Sequence, residues 1–156
     1  RYISALVNGG TVYDAHVVKK VVDSKGSTVY ETEPVVYNQL DVKEEYLNAL
    51  KEGMKDVISG EDATTATRQF EDCIYKDQLG GKTGTAQVNN INLENNSWFV
   101  AFAPYDKPEI AIVVFIPSGY AGGYSGYTVR VIAEHYLDQK YNTQTDDIPE
   151  KDSIVY

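Results

Sequence analysis

One run of the sequence combines residue types that can hold an anionic peptide: residues 81–87, Gly-Lys-Thr-Gly-Thr-Ala-Gln. Its threonines favour extended backbone, and an edge strand leaves N–H and C=O groups free to pair with an extended peptide. Gly84 has no side chain to block that approach, and Lys82 adds a positive charge for a carboxylate. The hydroxyls of Thr83 and Thr85 can donate to the same carboxylate. A backbone N–H of such a strand can also stabilise an oxyanion during acyl transfer.

The same residues suggest a phosphate-binding loop, but the flanking sequence excludes it. A Walker loop needs a glycine five residues before the glycine of Gly-Lys-Thr, and that position is Lys76. The residues that follow, Thr83 to Gln87, favour a strand, whereas a phosphate site there needs the N-terminus of a helix.

The triplet Lys82-Thr83-Gly84 is one of three motifs that build the active site of penicillin-binding proteins and serine β-lactamases. A longer pattern is more specific. Residues 81–87 together with residues 97–104, Ser-Trp-Phe-Val-Ala-Phe-Ala-Pro, resemble the class B penicillin-binding proteins, the monofunctional transpeptidases. The segments 5–13, 16–21 and 50–58 are similar to the same family in the same order, so the resemblance covers residues 1–138.

This resemblance implies roles for individual residues. Lys82, Thr83 and Gly84 would be the family's third motif, and Thr85 would supply an oxyanion N–H and a hydroxyl for the substrate's terminal carboxylate. Thr83, Thr85 and Gln87 would bind substrate. The implied reaction is attack by a serine on the D-Ala-D-Ala bond of a peptidoglycan stem peptide, followed by acyl transfer to a neighbouring stem. β-Lactams would acylate the same serine, and no cofactor or metal is implied.

The family also implies an α+β fold, an antiparallel sheet with flanking helices, of which this chain would be the C-terminal portion. We expect that portion over residues 1–139, followed by a polar, acidic and disordered tail over residues 140–156. The family acts at the extracytoplasmic face of the bacterial membrane, so we expect an anchor upstream of Arg1. The last strand would lack its family partner, and its apolar edge predicts dimerisation or strand exchange.

The chain departs from the family pattern in one important respect. None of its serines is followed three residues later by lysine or two residues later by asparagine, so it has neither a Ser-x-x-Lys nucleophile nor a Ser-x-Asn motif. We therefore predict a fragment that is inactive alone. Two alternatives remain open: a fragment of a β-lactamase or β-lactam-sensing receptor, and a non-catalytic cell-wall-binding module in which Tyr120 and Tyr124 stack on sugars.

Composition narrows the possible partners. The net charge of −9 and the lack of a basic stripe argue against nucleic acid. Cys73 is the only cysteine, and we expect it to be partly buried rather than catalytic. The two histidines, His16 and His135, have no second soft ligand nearby in the sequence, so we expect no zinc site. The longest apolar run, residues 110–116, is too short to span a bilayer.

The rest of the sequence predicts the elements that hold the strand. Residues 1–10 indicate a helix end closed by glycines, and an amphipathic helix at Val42–Ser59 would begin with a capping box of Asp41 and Glu44. The other expected elements are strands at Thr11–Tyr13, His16–Val22, Ser27–Thr32, Gly81–Val88, Trp98–Ala103 and Glu109–Ile116, a helix at Tyr127–Gln139, an irregular solvated stretch at Glu61–Asp77, a polar loop at Asn89–Asn96 and a flexible loop at Ser118–Gly126. Because its last strand is apolar on both faces, we expect cover on both sides of the sheet.

Overall fold

A computed structural model describes residues 1–61, 65–88 and 93–141 of the chain. Helices and strands alternate irregularly along it, as in an α+β protein. The helices are α1 (Tyr2–Val7), α2 (Glu44–Ser59), α3 (Thr65–Gln69) and α4 (Gly126–Tyr141), with 3₁₀ turns at Lys76–Gln78 and Gly122–Ser125, and the strands are β1 (Thr11–Tyr13), β2 (Lys20–Val22), β3 (Thr28–Glu31), β4 (Val36–Gln39), β5 (Gly80–Ala86), β6 (Asn96–Ala103) and β7 (Ile110–Ile116).

The central element is a three-stranded antiparallel sheet in the order β5-β6-β7. Its register pairs Lys82 with Val100 and Val100 in turn with Val113. Within the described residues, β5 and β7 are therefore both edge strands. The short connection between β6 and β7 confirms the predicted hairpin, and the sheet with its flanking helices confirms the α+β class.

The main core lies on the face of the sheet that carries Phe99. The ring of Phe99 is fully buried and lies 5.7 Å from the ring of Phe70, measured between centroids. Apolar side chains of α4 at helical spacing, Val129, Ala133 and Leu137, complete this layer. Their burial fixes α4 across the back of β6 and β7.

The opposite face of the sheet is only partly covered. Phe102 is fully buried there by apolar side chains of α1 and α2, with Leu47 and Met54 on the buried side of α2. Further along the same face, Val113 and Phe115 of β7 are exposed. The expected cover on both sides of the sheet is therefore present around Phe102 but does not extend to Val113 and Phe115, which have no layer above them among the described residues.

In the first 60 residues the predicted helices and strands are present with different boundaries. After α1, Gly9 and Gly10 adopt the left-handed backbone that favours glycine, which confirms the predicted helix end. The predicted capping box is wrong, because α2 begins at Glu44 and its N-cap, Lys43, makes no side-chain capping bond.

The hairpin region is less regular than the sequence predicts. β2 is confined to Lys20–Val22 and β3 to Thr28–Glu31, and these two strands pair with each other. β4, which the sequence analysis missed, pairs with β1. Residues 13–31 are all exposed, so this region forms an arm that contributes little to the core.

The prediction for the stretch before β5 is wrong. Residues 61–77 were expected to be irregular and solvated, but they contain α3 and the start of a 3₁₀ turn. Ala66, Phe70 and Cys73 from this stretch are buried in the main core. There they belong to the same cluster as Val129, Ala133 and Leu137 of α4. Of the predicted loop at 89–96, residues 89–92 lie outside the described residues, as does the predicted tail beyond Tyr141.

The C-terminal end of α4 is tied to the start of β7 by polar contacts. The carboxylate of Glu109 forms an ion pair with Lys140 and accepts a hydrogen bond of 2.9 Å from the hydroxyl of Tyr136. The hydrogen bonds from Lys140 and from Tyr136 hold the pKa of the Glu109 carboxyl below its usual range. The helix runs two residues further than the predicted end at Gln139.

This contact predicts a pH-dependent stability. A carboxyl group whose pKa is lower in the folded chain stabilises it above the ordinary carboxyl pKa, and this contribution is lost as the pH falls through the lowered value. We expect Glu109→Gln to lower the unfolding midpoint in urea at about pH 7 and to have a smaller effect at about pH 2, because the contribution of the carboxylate fades as the pH falls through its lowered pKa. Glu94→Gln, at an exposed position, is the control. If Glu109→Gln lowered the unfolding midpoint equally at both pH values, this explanation would be contradicted.

Candidate functional site

The predicted edge strand is where the sequence places it. β5 pairs with β6 on one side, and no other described strand pairs with its second side. Its first two residues, Gly80 and Gly81, are buried, whereas Lys82 to Ala86 are exposed or half-buried. The accessible part of the edge therefore begins at Lys82, and an extended ligand that pairs with β5 would need such an edge.

The side chains of the motif divide between the two faces of the sheet. Strand geometry places Lys82 and Gly84 on one face and Thr83 and Thr85 on the other. The Lys82 ammonium donates to the carbonyl oxygen of Thr83 at 3.1 Å and to the Thr83 hydroxyl at 3.3 Å. Among the described residues it has no carboxylate partner, so its charge is available to an anionic ligand. Gln87 is exposed just beyond the end of β5.

Thr85 is held by a segment that the sequence analysis did not connect with the site. The backbone N–H of Gly122 donates to the Thr85 hydroxyl oxygen at 2.9 Å. Gly122 also lies directly against β5, since a Cβ added to it would be 2.5 Å from the carbonyl oxygen of Gly84. The backbone of Gly122 therefore packs on the backbone of β5, immediately behind the exposed edge.

The expectation of a flexible loop at residues 118–126 is accordingly wrong. Gly119, Gly122 and Gly126 each approach the sheet or the main core so closely that an added Cβ would come within 3.2 Å of a neighbouring atom. The glycines thus permit tight docking rather than motion. Their spacing of three and four residues, with Ser125 buried between the last two, is the signal that could have indicated one packed side.

The other candidates from the sequence lie outside this site. Cys73 is buried, and burial raises the pKa of its thiol to about 11, so it is not a nucleophile at neutral pH. Tyr120 and Tyr124 are exposed near the 3₁₀ turn. Within the described residues, no three histidine, cysteine or carboxylate side chains converge as metal ligands. No described helix combines the length and apolarity that crossing a bilayer requires.

Comparison with known proteins decides the family. The family model described as penicillin binding protein transpeptidase domain matches residues 1–137. The chain belongs to the penicillin-binding protein transpeptidase family. The resemblance inferred from residues 81–87 and 97–104 is thereby confirmed.

Individual relatives agree with this assignment. Penicillin-binding protein 2A of Bacillus subtilis is 31% identical over 158 residues, which cover 90% of this chain and 21% of that protein. Peptidoglycan D,D-transpeptidase MrdA of Haemophilus influenzae is 29% identical over 152 residues, covering 86% of this chain and 22% of that protein. The chain therefore spans about a fifth of the length of these two transpeptidase-family relatives.

Solved structures show the same fold. Penicillin-binding protein 2B of Streptococcus pneumoniae superposes with a TM-score of 0.71 at 24% identity, covering 94% of this chain and 25% of that one. The imipenem acyl-enzyme complex of penicillin-binding protein A from M. tuberculosis gives a TM-score of 0.70 at 22% identity, covering 86% of this chain and 28% of that one. The chain thus has the fold of part of a penicillin-binding protein transpeptidase domain.

The close packing at the start of β5 yields a prediction. A Cβ at Gly81 would lie 2.5 Å from Cε1 of Phe99 and 2.9 Å from Cδ1 of Ile58. We expect Gly81→Ala to lower the free energy of unfolding by about 1–3 kcal/mol, because the added methyl overpacks the main core. Gly53→Ala is the matched control, since nothing lies within 4 Å of its added Cβ. If Gly81→Ala left the free energy of unfolding unchanged in chemical denaturation, β5 would not be fixed by this contact.

Proposed function

We propose that this chain supplies the third-motif part of a peptidoglycan D,D-transpeptidase, which cross-links stem peptides by serine acyl transfer and is acylated by penicillin. The observation that carries the proposal is the exposed edge of β5 from Lys82 onward, in a chain of the penicillin-binding protein transpeptidase family. The triplet Lys82-Thr83-Gly84 would be the third motif of that active site.

In this mechanism the stem peptide lies along β5 as an additional antiparallel strand. A serine hydroxyl attacks the carbonyl carbon of the D-Ala-D-Ala bond, and the negative charge on the carbonyl oxygen is stabilised by backbone N–H donors, one of them from Thr85. The terminal D-alanine leaves with a proton on its amine, and an ester remains on the serine. The amine of a neighbouring stem peptide then attacks that ester, so that an amide cross-link forms, the ester bond breaks and the serine oxygen regains a proton.

The residues of β5 have distinct tasks in this scheme. The ammonium of Lys82 would lie beside the serine and the terminal carboxylate, where a fixed positive charge stabilises anionic groups. Thr83, Thr85 and Gln87 would bind the peptide, with the Thr85 hydroxyl donating to its carboxylate. Gly84 keeps the strand free of a side chain where the ligand backbone approaches.

The nucleophile must come from polypeptide outside these 156 residues, because the chain contains no Ser-x-x-Lys and no Ser-x-Asn sequence. A serine needs its base within hydrogen-bond reach to be activated. We expect the chain alone to show no mass increase after incubation with benzylpenicillin. A longer polypeptide that joins Ser-x-x-Lys and Ser-x-Asn segments to this chain is expected to gain the mass of one benzylpenicillin.

Two variants of the longer polypeptide make this experiment specific. We expect Lys82→Met to slow acylation by at least about 100-fold, since it removes a charge from the site. Lys25→Met, in the exposed arm, removes the same charge elsewhere and should leave the rate unchanged. Acylation of the 156-residue chain alone, or equal rates for the two variants, would contradict the proposal. Slow deacylation would favour a transpeptidase or a sensor, and rapid deacylation a β-lactamase.

The proposed reaction also sets the location of the protein. Its stem-peptide substrate lies outside the cytoplasmic membrane, so the active site would face the extracytoplasmic side. An anchoring segment would then belong to polypeptide upstream of Arg1.

We further propose that the free edge of β7 pairs with a strand from a second copy when this chain is isolated. Edge strands with apolar side chains favour such pairing, and Val113 and Phe115 of β7 are exposed. We expect light scattering to show a dimer at high protein concentration and a monomer for Val113→Lys. Val29→Lys, at an exposed position of the arm, should remain dimeric. A monomeric wild-type chain at high concentration would rule the dimer out.

A further inference from the structure

One peptide group of the glycine-rich segment contacts both strands behind the exposed edge. The carbonyl of Ala121 accepts a hydrogen bond of 2.7 Å from the Ser97 hydroxyl of β6. The N–H of Gly122, at the other end of the same peptide group, donates to the Thr85 hydroxyl of β5 at 2.9 Å. Since Thr85 and Ser97 are direct partners in the β5–β6 ladder, this peptide group bridges the two strands.

Two buried hydroxyls support the bridge. Ser97 and Ser125 are both fully buried, and their oxygens lie 2.9 Å apart. Ser125 also donates to the carbonyl of Gly122 at 2.8 Å. Each hydroxyl has one proton, so the two serines make two of these three contacts at any moment. A buried serine pair of this kind is costly to disrupt, because an unsatisfied buried hydroxyl or carbonyl loses its hydration without replacement.

The bridge determines the direction in which Thr85 can donate. The Gly122 N–H occupies one lone pair of the Thr85 oxygen, and the hydroxyl proton has no acceptor among the described residues. Thr85 itself is exposed at the edge. Its proton is therefore available to an oxygen of a ligand that lies beside β5.

We propose that Ser97, with the buried Ser125 hydroxyl beside it, is a positioning residue for carboxylate recognition, and that it acts through the Ala121–Gly122 peptide group on the Thr85 hydroxyl. Donation by Ser97 to the Ala121 carbonyl polarises the peptide group and strengthens its N–H as a donor. That N–H in turn orients Thr85 and makes its hydroxyl a stronger donor to a ligand carboxylate. This inference rests on the proposed function, because the carboxylate is that of the stem peptide or of a β-lactam.

The bridge itself can be tested on this chain by NMR. We expect the Gly122 amide proton of the wild-type chain to resonate downfield and to exchange slowly with solvent. Thr85→Val should move it upfield and speed its exchange at least about tenfold, since an isosteric side chain without the acceptor leaves the N–H unpaired. Thr85→Ser should retain the wild-type behaviour. If Thr85→Val changed neither the chemical shift nor the exchange rate of the Gly122 amide proton, the bridge would be ruled out.

The functional role can be tested in the longer polypeptide by comparing acylation by benzylpenicillin with acylation by its methyl ester. The ratio of the two rate constants reports carboxylate recognition, whereas a general structural defect slows both reactions alike. We expect Thr85→Val to lower the acid-to-ester ratio by about 10- to 100-fold, as for loss of a hydrogen bond to a charged group. Ser97→Ala should lower it about 3- to 10-fold, and Ser59→Ala, in α2, should leave it unchanged.

The outcomes separate this inference from the proposed function. No acylation of the unsubstituted longer polypeptide would overturn the proposed function and, with it, the role in carboxylate recognition. A polypeptide that is acylated, but whose acid-to-ester ratio is insensitive to Ser97→Ala, would overturn only the positioning role. A lowered ratio with an unchanged rate for the ester supports the inference directly.

Discussion

The site depends on the close contacts that Gly80, Gly81 and Gly122 permit. On one face, the position that a Cβ of Gly80 would occupy is filled by the ring of Phe102. On the other face, Phe99 packs against Gly81, and Gly122 packs directly against the backbone of Gly84 because it has no side chain. Side chains at Gly80, Gly81 or Gly122 would separate the strand from its neighbours. The strand is therefore fixed by both layers of the protein while one of its edges stays accessible.

This arrangement links packing to the proposed chemistry. A strand that binds a peptide by backbone hydrogen bonds gains most when its groups are held in place before the ligand arrives. Here the buried start of β5 and the bridge to Thr85 hold both ends of the motif. Between them, the Lys82 ammonium hydrogen-bonds only to groups of Thr83 among the described residues. The same strand thus combines a rigid backbone with an uncompensated charge, which is the combination that anion recognition requires.

The sequence predicted the elements that depend on local patterns and missed those that depend on tertiary contacts. The β6–β7 hairpin and α4 were predictable because β propensity, a short connection and helical spacing are local properties, and the edge strand was predicted from the threonines of residues 81–87 and the family resemblance. The stretch before β5 was not, since Phe70 and Cys73 become a buried face only once α4 is opposite them. The glycine-rich segment was misinterpreted for a related reason. A glycine permits both motion and close approach, and only the position of β5 behind Gly122 decides between them.

The most direct test is a crystal structure of the longer polypeptide, with its nucleophilic serine, after acylation by benzylpenicillin. The account predicts that the ligand lies antiparallel to β5, that its carboxylate accepts a hydrogen bond from Thr85, and that Lys82 lies beside the modified serine. A ligand held elsewhere, or a β5 edge occupied by another strand of the same polypeptide, would contradict it.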